Sequence, residues 1–564
     1  MSSSAQNRRW YRALMTPRRR GWADPVVALG LATLYLLLLL SGVEELGYAR
    51  DEGFYFQAAR SYQAWLELLV ADPAAAMASV DAHWSVNHEH PSLVKSLMAL
   101  SHWWLWDRQQ VFSMEGTSYR FPAMALSALG IALVYLWGAR ARGRLAGAVA
   151  AGALATLPRL FHHAHLACFD VPVVTLWLWA AYAWWRATSP DADADGRLRR
   201  VGRYLVVGVA FGLALDTKHN AWFLPIVVVA HTAVSAWLAE SDARRATLRR
   251  AALAGLAMAV VGPLVFYALW PWIWHDTTAR LVAYAEFHLG HVYYNMEFLG
   301  SNYWRPPMPR GYAPLMTFAT VPLVILAAAV VGVAAAWRRR ARCELGTPSL
   351  WLIAIAVQYG AWILPTTPIF GGTKHWMTAY PFLALFAGLG VAEICRWARL
   401  RGHRDPDARG WLTTPGLELA VAAGVLIGPA TQSLQAFPWG LSAYTPVVGG
   451  APGAASLGLN RGFWGYTTGA PAIVHALDER LPPSGRVYLH DTARSAWDMM
   501  IRDGRLRRDL QGVLAMGRSD AALYHHEKHM SGVMYQAWGV FGTTAPVVVA
   551  GHDGVPVVWI YASD

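Results

Sequence analysis

Cysteine is nearly absent from this chain, with three in 564 residues. Cys343 and Cys395 fall at one end of the apolar runs that carry them and Cys168 near the opposite end, which excludes a disulfide framework as an organising device. Charge is scarce as well: 15% of residues are charged against 55% hydrophobic, and mean hydropathy is +0.27. A soluble domain ordinarily carries about a quarter of its residues charged, and it has little use for 29 Trp and 23 Tyr. These figures describe a polytopic α-helical membrane protein. Internal repeats and low-complexity tracts are also missing. The first apolar run lacks a small-residue cleavage site and runs straight into acidic residues, so it is expected to stay as an anchor helix.

Apolar runs long enough to span a bilayer, or nearly so, recur about eleven times. They cover residues 25–42, 121–138, 145–160, 168–185, 201–215, 221–238, 253–270, 315–337, 350–364, 376–394 and 417–429. The net charge of +12 is carried by arginine clusters at 8–20, 140–144, 197–203, 244–250, 338–342 and 396–409, all in alternate loops. That distribution is an orientation signal and places those loops in the cytoplasm, so the basic balance speaks for topology and not for nucleic-acid binding. The opposite, extracytoplasmic side then receives the long loops 43–120 and 271–314, the short turns 162–167 and 216–220, the loop 365–375, and the tail. The texture changes near residue 430. A membrane body over 1–430 is expected to be followed by a small soluble α/β domain over 431–564, with a helix at 471–481, strand-like runs at 486–489 and 546–550, and a hairpin turning at Gly551-His552-Asp553-Gly554 before 557–561.

Both long outer loops carry aromatic residues at helical spacing: Phe54, Ala58, Tyr62, Trp65, Leu66 and Leu69, then Leu281, Tyr284, Phe287, His288 and His291. Such juxtamembrane helices either wall off a cavity where an apolar carrier meets a water-soluble partner or form an aromatic belt that anchors the loops. Between the first run and this loop stands Arg50-Asp51-Glu52-Gly53-Phe54-Tyr55. Adjacent carboxylates at a membrane mouth repel each other and are costly to bury, so at least one is expected to titrate high and suit general-base work. Acids at the start of a helix also stabilise its dipole, by ~0.3–1 kcal/mol. A second group is Asn87-His88-Glu89-His90-Pro91-Ser92-Leu93-Val94-Lys95, where Glu89 and His90 are candidate ligands for a divalent metal and Lys95 for a phosphate or for Asp51. A helix opening at Pro91, with solvated histidines before it, explains part of that run equally well. A third group is Arg159, His162, His163, His165 and Asp170, then Asp216, Thr217, Lys218 and His219, then Lys374 and His375. Cations gathered at headgroup level suit a lipid phosphate; taken singly, they snorkel and bind ordinary anionic membrane lipids.

In this order, the Asp-Glu pair, the Glu-His-Pro-x-x-x-Lys element, Arg120-Phe121-Pro122, the His-rich turn with its Asp, Thr217-Lys218 and the late Gly-rich turn resemble glycosyltransferase family 39. That group contains protein O-mannosyltransferases and aminoarabinose transferases of the GT-C superfamily, and the similarity spans about residues 20–430. Ser92 stands where the family's second proline would be, and Val94 replaces a glycine. The resemblance implies inverting transfer of a sugar from a polyprenyl-phosphate carrier to a hydroxyl acceptor on a glycan, lipid or protein, at the outer face of a plasma (inner) membrane. It implies Asp51 as base, assisted by Glu52, and Tyr55, His90 and Asp170 at substrate. It implies a donor-phosphate clamp among Lys95, Lys218, Arg305, Arg310, Lys374 and His375, and, in some relatives, a metal near Glu89 and His90.

Two other classes fit parts of the chain. A transporter of a lipid or anionic substrate calls for inverted repeats and mid-helix charges, whereas the ionisable residues here sit at helix ends and in loops. Transfer of a phosphoglycerol or phosphoethanolamine unit calls for a metal-rich soluble domain, for which the tail offers His490, Asp491, His525, His526, Glu527 and His529.

Overall fold

A computed structural model describes residues 22–338, 346–369, 371–404, 414–462 and 471–563. The basic residues at 8–20, 339–342 and 409, and Cys343, lie outside them. Six helices are long and apolar enough to cross a membrane: Ala23–Glu45, Glu115–Arg142, His219–Leu238, Ala243–Leu269, Met377–Gly402 and Pro415–Ala436. Two more runs are helix pairs bent at a break, by 73° between Arg144–Ala155 and Pro158–Ala164 and by 116° between Tyr312–Thr320 and Leu323–Arg338, giving eight spans if each pair counts as one. The remaining expected runs are helical over Asp170–Thr188, Arg197–Leu215 and Gly346–Ile363 but do not meet the same criteria. Among the described residues, length and composition therefore support six to eight spans where about eleven were expected from the sequence.

Both bends have the same cause. Leu157 precedes Pro158 with φ −77° and ψ 114°, and Val321 precedes Pro322 with φ −93° and ψ 126°. The ring of a following proline forces its neighbour out of helical geometry and its nitrogen donates no bond, so the helix stops and restarts in a new direction. Much of the tryptophan content goes into the bundle interior. Trp137, Trp177 and Trp351 are fully buried and meet edge-on around Phe382 and Phe386, with ring centroids 5.4–5.9 Å apart.

The loop helices exist, over Arg50–Ala71 and Thr277–Leu289. Ala58, Tyr62 and Trp65 are buried, with Tyr62 stacked on Trp84 at 4.1 Å and Trp65 edge-on to it at 5.3 Å. In the tail, helix Pro471–Arg480 precedes a five-stranded sheet ordered Gln511–Val513, Arg486–Leu489, Ala521–His525, Val555–Ala562, Val548–His552. The first two neighbouring pairs are parallel and the last two antiparallel. The hairpin turns at Asp553 and Gly554, both in the left-handed region that a two-residue turn of this hand requires.

Candidate functional site

The Asp51-Glu52 pair opens helix Arg50–Ala71, and the two carboxylates part company at once. Consecutive helical residues face different directions. Glu52 turns inward, fully buried, and accepts two hydrogen bonds from Arg120, at 2.8 Å each to Nε and Nη2, and one each from the Ala49 and Ala167 backbone N–H groups. Arg120 spends its remaining donors on the Val43, Leu46 and Gly47 carbonyls. Glu52 is thus consumed in joining the first helix, the second span and the 165–169 turn. Asp51 keeps a fifth of its side-chain surface open and lies 3.7 Å, Oδ2 to Nζ, from Lys374. Burial raises its carboxyl above the usual range, Lys374 pulls it down, and Asp170 pushes it up. The expected elevation is there, but burial and Asp170 cause it; Glu52, which adjacency had suggested, is neutralised by Arg120.

Three further chain segments bring in Lys374, Asp170 and Lys218. Gly371 and Gly372, both at positive φ, reverse the chain into the turn Gly372–His375 and bury Lys374 and His375. Asp170 is the first residue of helix Asp170–Thr188, where the dipole favours an anion. Its Oδ1 accepts a 2.5 Å bond from Lys218 Nζ, and its Oδ2 lies 3.8 Å from His163 Nδ1. Lys218 extends from the turn between Arg197–Leu215 and His219–Phe223. Asp51, Lys374, Asp170 and Lys218 therefore alternate in sign within one buried cluster. Burial lowers the Lys374 ammonium, while Asp170 and Asp51 raise it. The aromatic wall beside them is Tyr55 against Phe169 at 4.6 Å and Phe169 against His90 at 4.5 Å; His90 Nδ1 is buried with no partner among the described residues. The His375 ring lies tilted against Trp362 at 4.5 Å, and its backbone carbonyl accepts from Asn220 Nδ2.

Other candidates lie elsewhere. Lys95 is fully buried, and its Nζ donates to Asn87 O, Asn87 Oδ1 and His90 O, so it staples the 87–90 loop to its own helix and has no proton left for a phosphate. Glu89 accepts from Asn87 Nδ2 at 2.6 Å, and among the described residues no three His, Cys, Asp or Glu side chains converge as a metal site. Arg305 and Arg310 are exposed on the loop leading to Tyr312–Thr320. Ser92 shows why proline is missing there: its N–H donates to Asp216 Oδ1 at 3.2 Å and its hydroxyl to Leu269 O at 2.6 Å.

The tail reaches the site, which the sequence did not signal. Tail helix Arg494–Arg502 lies against the first turn of Arg50–Ala71: Ser495 Oγ donates to Gly53 O at 2.7 Å, and a Cβ on Gly53 would stand 2.8 Å from Ala496 N. Asp491 pairs with Arg50 at 3.1 Å, Arg502 with Glu115 at 2.8 Å, and Asp503 accepts from Tyr48 and from Gly116 N. These partners are more than 380 residues apart in sequence, and no local pattern marks them.

Residues 94–282 match the family model described as dolichyl-phosphate-mannose-protein mannosyltransferase. Among solved structures the chain is similar to ArnT from Cupriavidus metallidurans in the apo state, at 15% identity over 95% of this chain and 98% of that one, with a TM-score of 0.50. The same protein bound to undecaprenyl phosphate matches at 17% identity over 96% and 98%, with a TM-score of 0.49. The Archaeoglobus fulgidus oligosaccharyltransferase tethered to an acceptor peptide matches at 12% identity over 92% of this chain and 71% of that one, with a TM-score of 0.50. A comparison with curated protein sequences finds no match. The fold is thus shared with ArnT and with the oligosaccharyltransferase, and residues 94–282 match a mannosyltransferase family model.

Proposed function

We propose that this protein is an inverting glycosyltransferase of the plasma (inner) membrane, mannosyltransferase-like, that moves a sugar from a polyprenyl-phosphate donor to an acceptor hydroxyl on the extracytoplasmic face. The observation that carries the reading is the Asp51 carboxylate, part-open and raised by burial, held 3.7 Å from Lys374 in a buried cluster with Asp170 and Lys218. The family match over 94–282 supports a polyprenyl-phosphate-linked donor. Residues 1–430 form the catalytic body in this reading, and 431–564 an extracytoplasmic unit that braces the base through Gly53 and Arg50.

The chemistry follows from those groups. The acceptor hydroxyl gives its proton to an Asp51 oxygen as its own oxygen attacks the anomeric carbon, and the carbon–oxygen bond to the phosphate breaks on the opposite face. The polyprenyl phosphate leaves with the bonding pair and needs cations more than an acid. Lys374 is the nearest, and Lys218 lies behind Asp170. Tyr55, Phe169 and His90 form an apolar wall that keeps water from competing for the anomeric centre. Arg305, Arg310 and His375 remain candidates for the phosphate only after movement of their loops.

The test supplies synthetic polyprenyl-phosphate sugars, the mannosyl donor first, to purified protein and measures released polyprenyl phosphate. Release by wild type and its loss in Asp51→Asn is expected; equal release by the variant removes the base assignment. No release from any donor, with substrate flux into vesicles, would make the protein a transporter.

A further inference from the structure

Away from Asp51, a cavity of about 510 Å³ opens where three separated segments meet: the hairpin Met296–Phe298/Ser301–Tyr303, residues 455–461, and residues 526–531 of the tail. They are pinned at Gly300. Its N–H donates to Gly458 O at 2.9 Å, and its carbonyl accepts from Lys528 Nζ at 2.6 Å. Gly458 has φ +68°, and a Cβ there would fall 2.1 Å from Gly300 N, so the junction tolerates no side chain. Membrane body and tail build this cavity jointly.

Its lining is polar. Glu297 and Glu527 supply carboxyl oxygens, Arg461 a guanidinium, His526 an imidazole, and Ser456 and Ser531 hydroxyls, with Leu299, Leu457 and Leu459 as the apolar share. The size falls in the small-ligand range of about 300–1,000 Å³. The usual small-ligand pocket is mostly apolar and aromatic, and a lipid tail needs such walls. A surface that alternates acceptors with planar donors instead matches neighbouring hydroxyls, each of which donates one hydrogen bond and accepts others. Burial, with Asp491 and Glu297 nearby, pushes the Glu527 carboxyl up to about 8, so it both donates and accepts at neutral pH. Asp491 stands outside the lining, but its charge acts on both Glu527 and Asp51, and it pairs with Arg50 next to Asp51.

We propose that this cavity binds the carbohydrate part of the acceptor, a hydroxyl-rich oligosaccharide, and so selects a glycan over a peptide. The assignment of the ligand as acceptor rests on the transferase reading; the binding itself does not.

Saturation-transfer NMR on the purified full chain, with a panel of soluble manno-, gluco- and galacto-oligosaccharides, tests it. Expected is saturable binding of at least one of them, weakened tenfold or more in both Glu527→Gln and Arg461→Met at an unchanged melting temperature. If either variant fails to fold, Ser531→Tyr fills the cavity from the start of helix Ser531–Phe541 and is expected to abolish binding. No saturation transfer to any oligosaccharide, or equal binding by the folded variants, overturns the proposal. Donor cleavage without oligosaccharide binding sinks the cavity and leaves the transferase; oligosaccharide binding without cleavage of any donor does the reverse.

Discussion

Lys95, on helix Leu93–Ser101, and Lys374, in the turn Gly372–His375, are both buried lysines, and both belong to motifs that suggest a phosphate clamp. Their surroundings differ in one respect that decides their use. Lys95 faces three oxygens from Asn87 and His90, two of them backbone carbonyls, and each takes one of its three protons. Lys374 faces carboxylates: Asp51 at 3.7 Å, with Asp170 the stronger influence on its charge. A cation locked by short bonds to carbonyls holds a loop. A cation set among carboxylates shares their field with any anion that comes to the same site. Charge and burial are shared; the kind of oxygen each lysine faces, carbonyl or carboxylate, separates them.

The comparison breaks most visibly at the proposed base. Asp51→Asn keeps size and polarity but accepts no proton, and general-base loss is expected to cut polyprenyl-phosphate release by ~10²–10⁴-fold. Lys374→Met comes next, with release lowered on the order of 10–10²-fold, since one donor aimed at developing charge is worth about that or more. Its second signature is in pH. In the proposed mechanism Asp51 acts deprotonated, and Lys374 lowers its pKa; without the lysine the carboxyl titrates higher, so the acid limb of the rate profile is expected at higher pH than in wild type. An acid limb that stays put would mean that Lys374 does not act on Asp51. Gly53→Val is smaller in reach. The added carbons meet backbone at Ala496 and must push helix Arg494–Arg502 away, which breaks the Ser495 bond. Hydrogen exchange over 494–505 is expected to rise and release to fall on the order of tenfold, the scale of small displacements at a reacting centre. Unchanged exchange would show that the tail does not bear on the first turn.

How much of this could be read in the chain follows the range of each interaction. Helices and strands were legible because periodicity is local: the tail strand at Arg486–Leu489 and the hairpin around Asp553-Gly554 lie where alternation and turn residues put them. Span number was less legible: an apolar run looks the same whether it crosses straight or bends at Pro158 or Pro322, and Asp170–Thr188, Arg197–Leu215 and Gly346–Ile363 form helices that fall short in length or composition. Asp51, Asp170, Lys218 and Lys374 were each singled out, and the fold gathers them. Their pairing was not readable: Lys218 meets Asp170, and the lysine beside Asp51 is Lys374, not Lys95. Glu52 was misjudged for a physical reason. Its partner Arg120 is 68 residues away, and nothing near Glu52 in sequence announces a buried guanidinium. The bracing by Asp491, Ser495 and Asp503 left no trace, since their neighbours in sequence are ordinary tail residues.

The smallest effect on turnover is expected where a motif residue is structural. Lys95→Met keeps the length of the stem over the Tyr62 ring, 5.5 Å from the ammonium in the native protein, and removes only the donor. The Asn87 and His90 carbonyls then lose a partner, at about 1–3 kcal/mol for each buried acceptor left unmet. Stability should fall on the order of 2–4 kcal/mol by thermal unfolding, while release per folded molecule stays within about threefold of wild type, the scale of an indirect effect below 1 kcal/mol. Rate loss as large as that of Lys374→Met, without loss of stability, would place Lys95 at the phosphate after all. The two lysines would then differ in this resting arrangement alone, with the 87–90 loop opening to release Lys95 when donor binds.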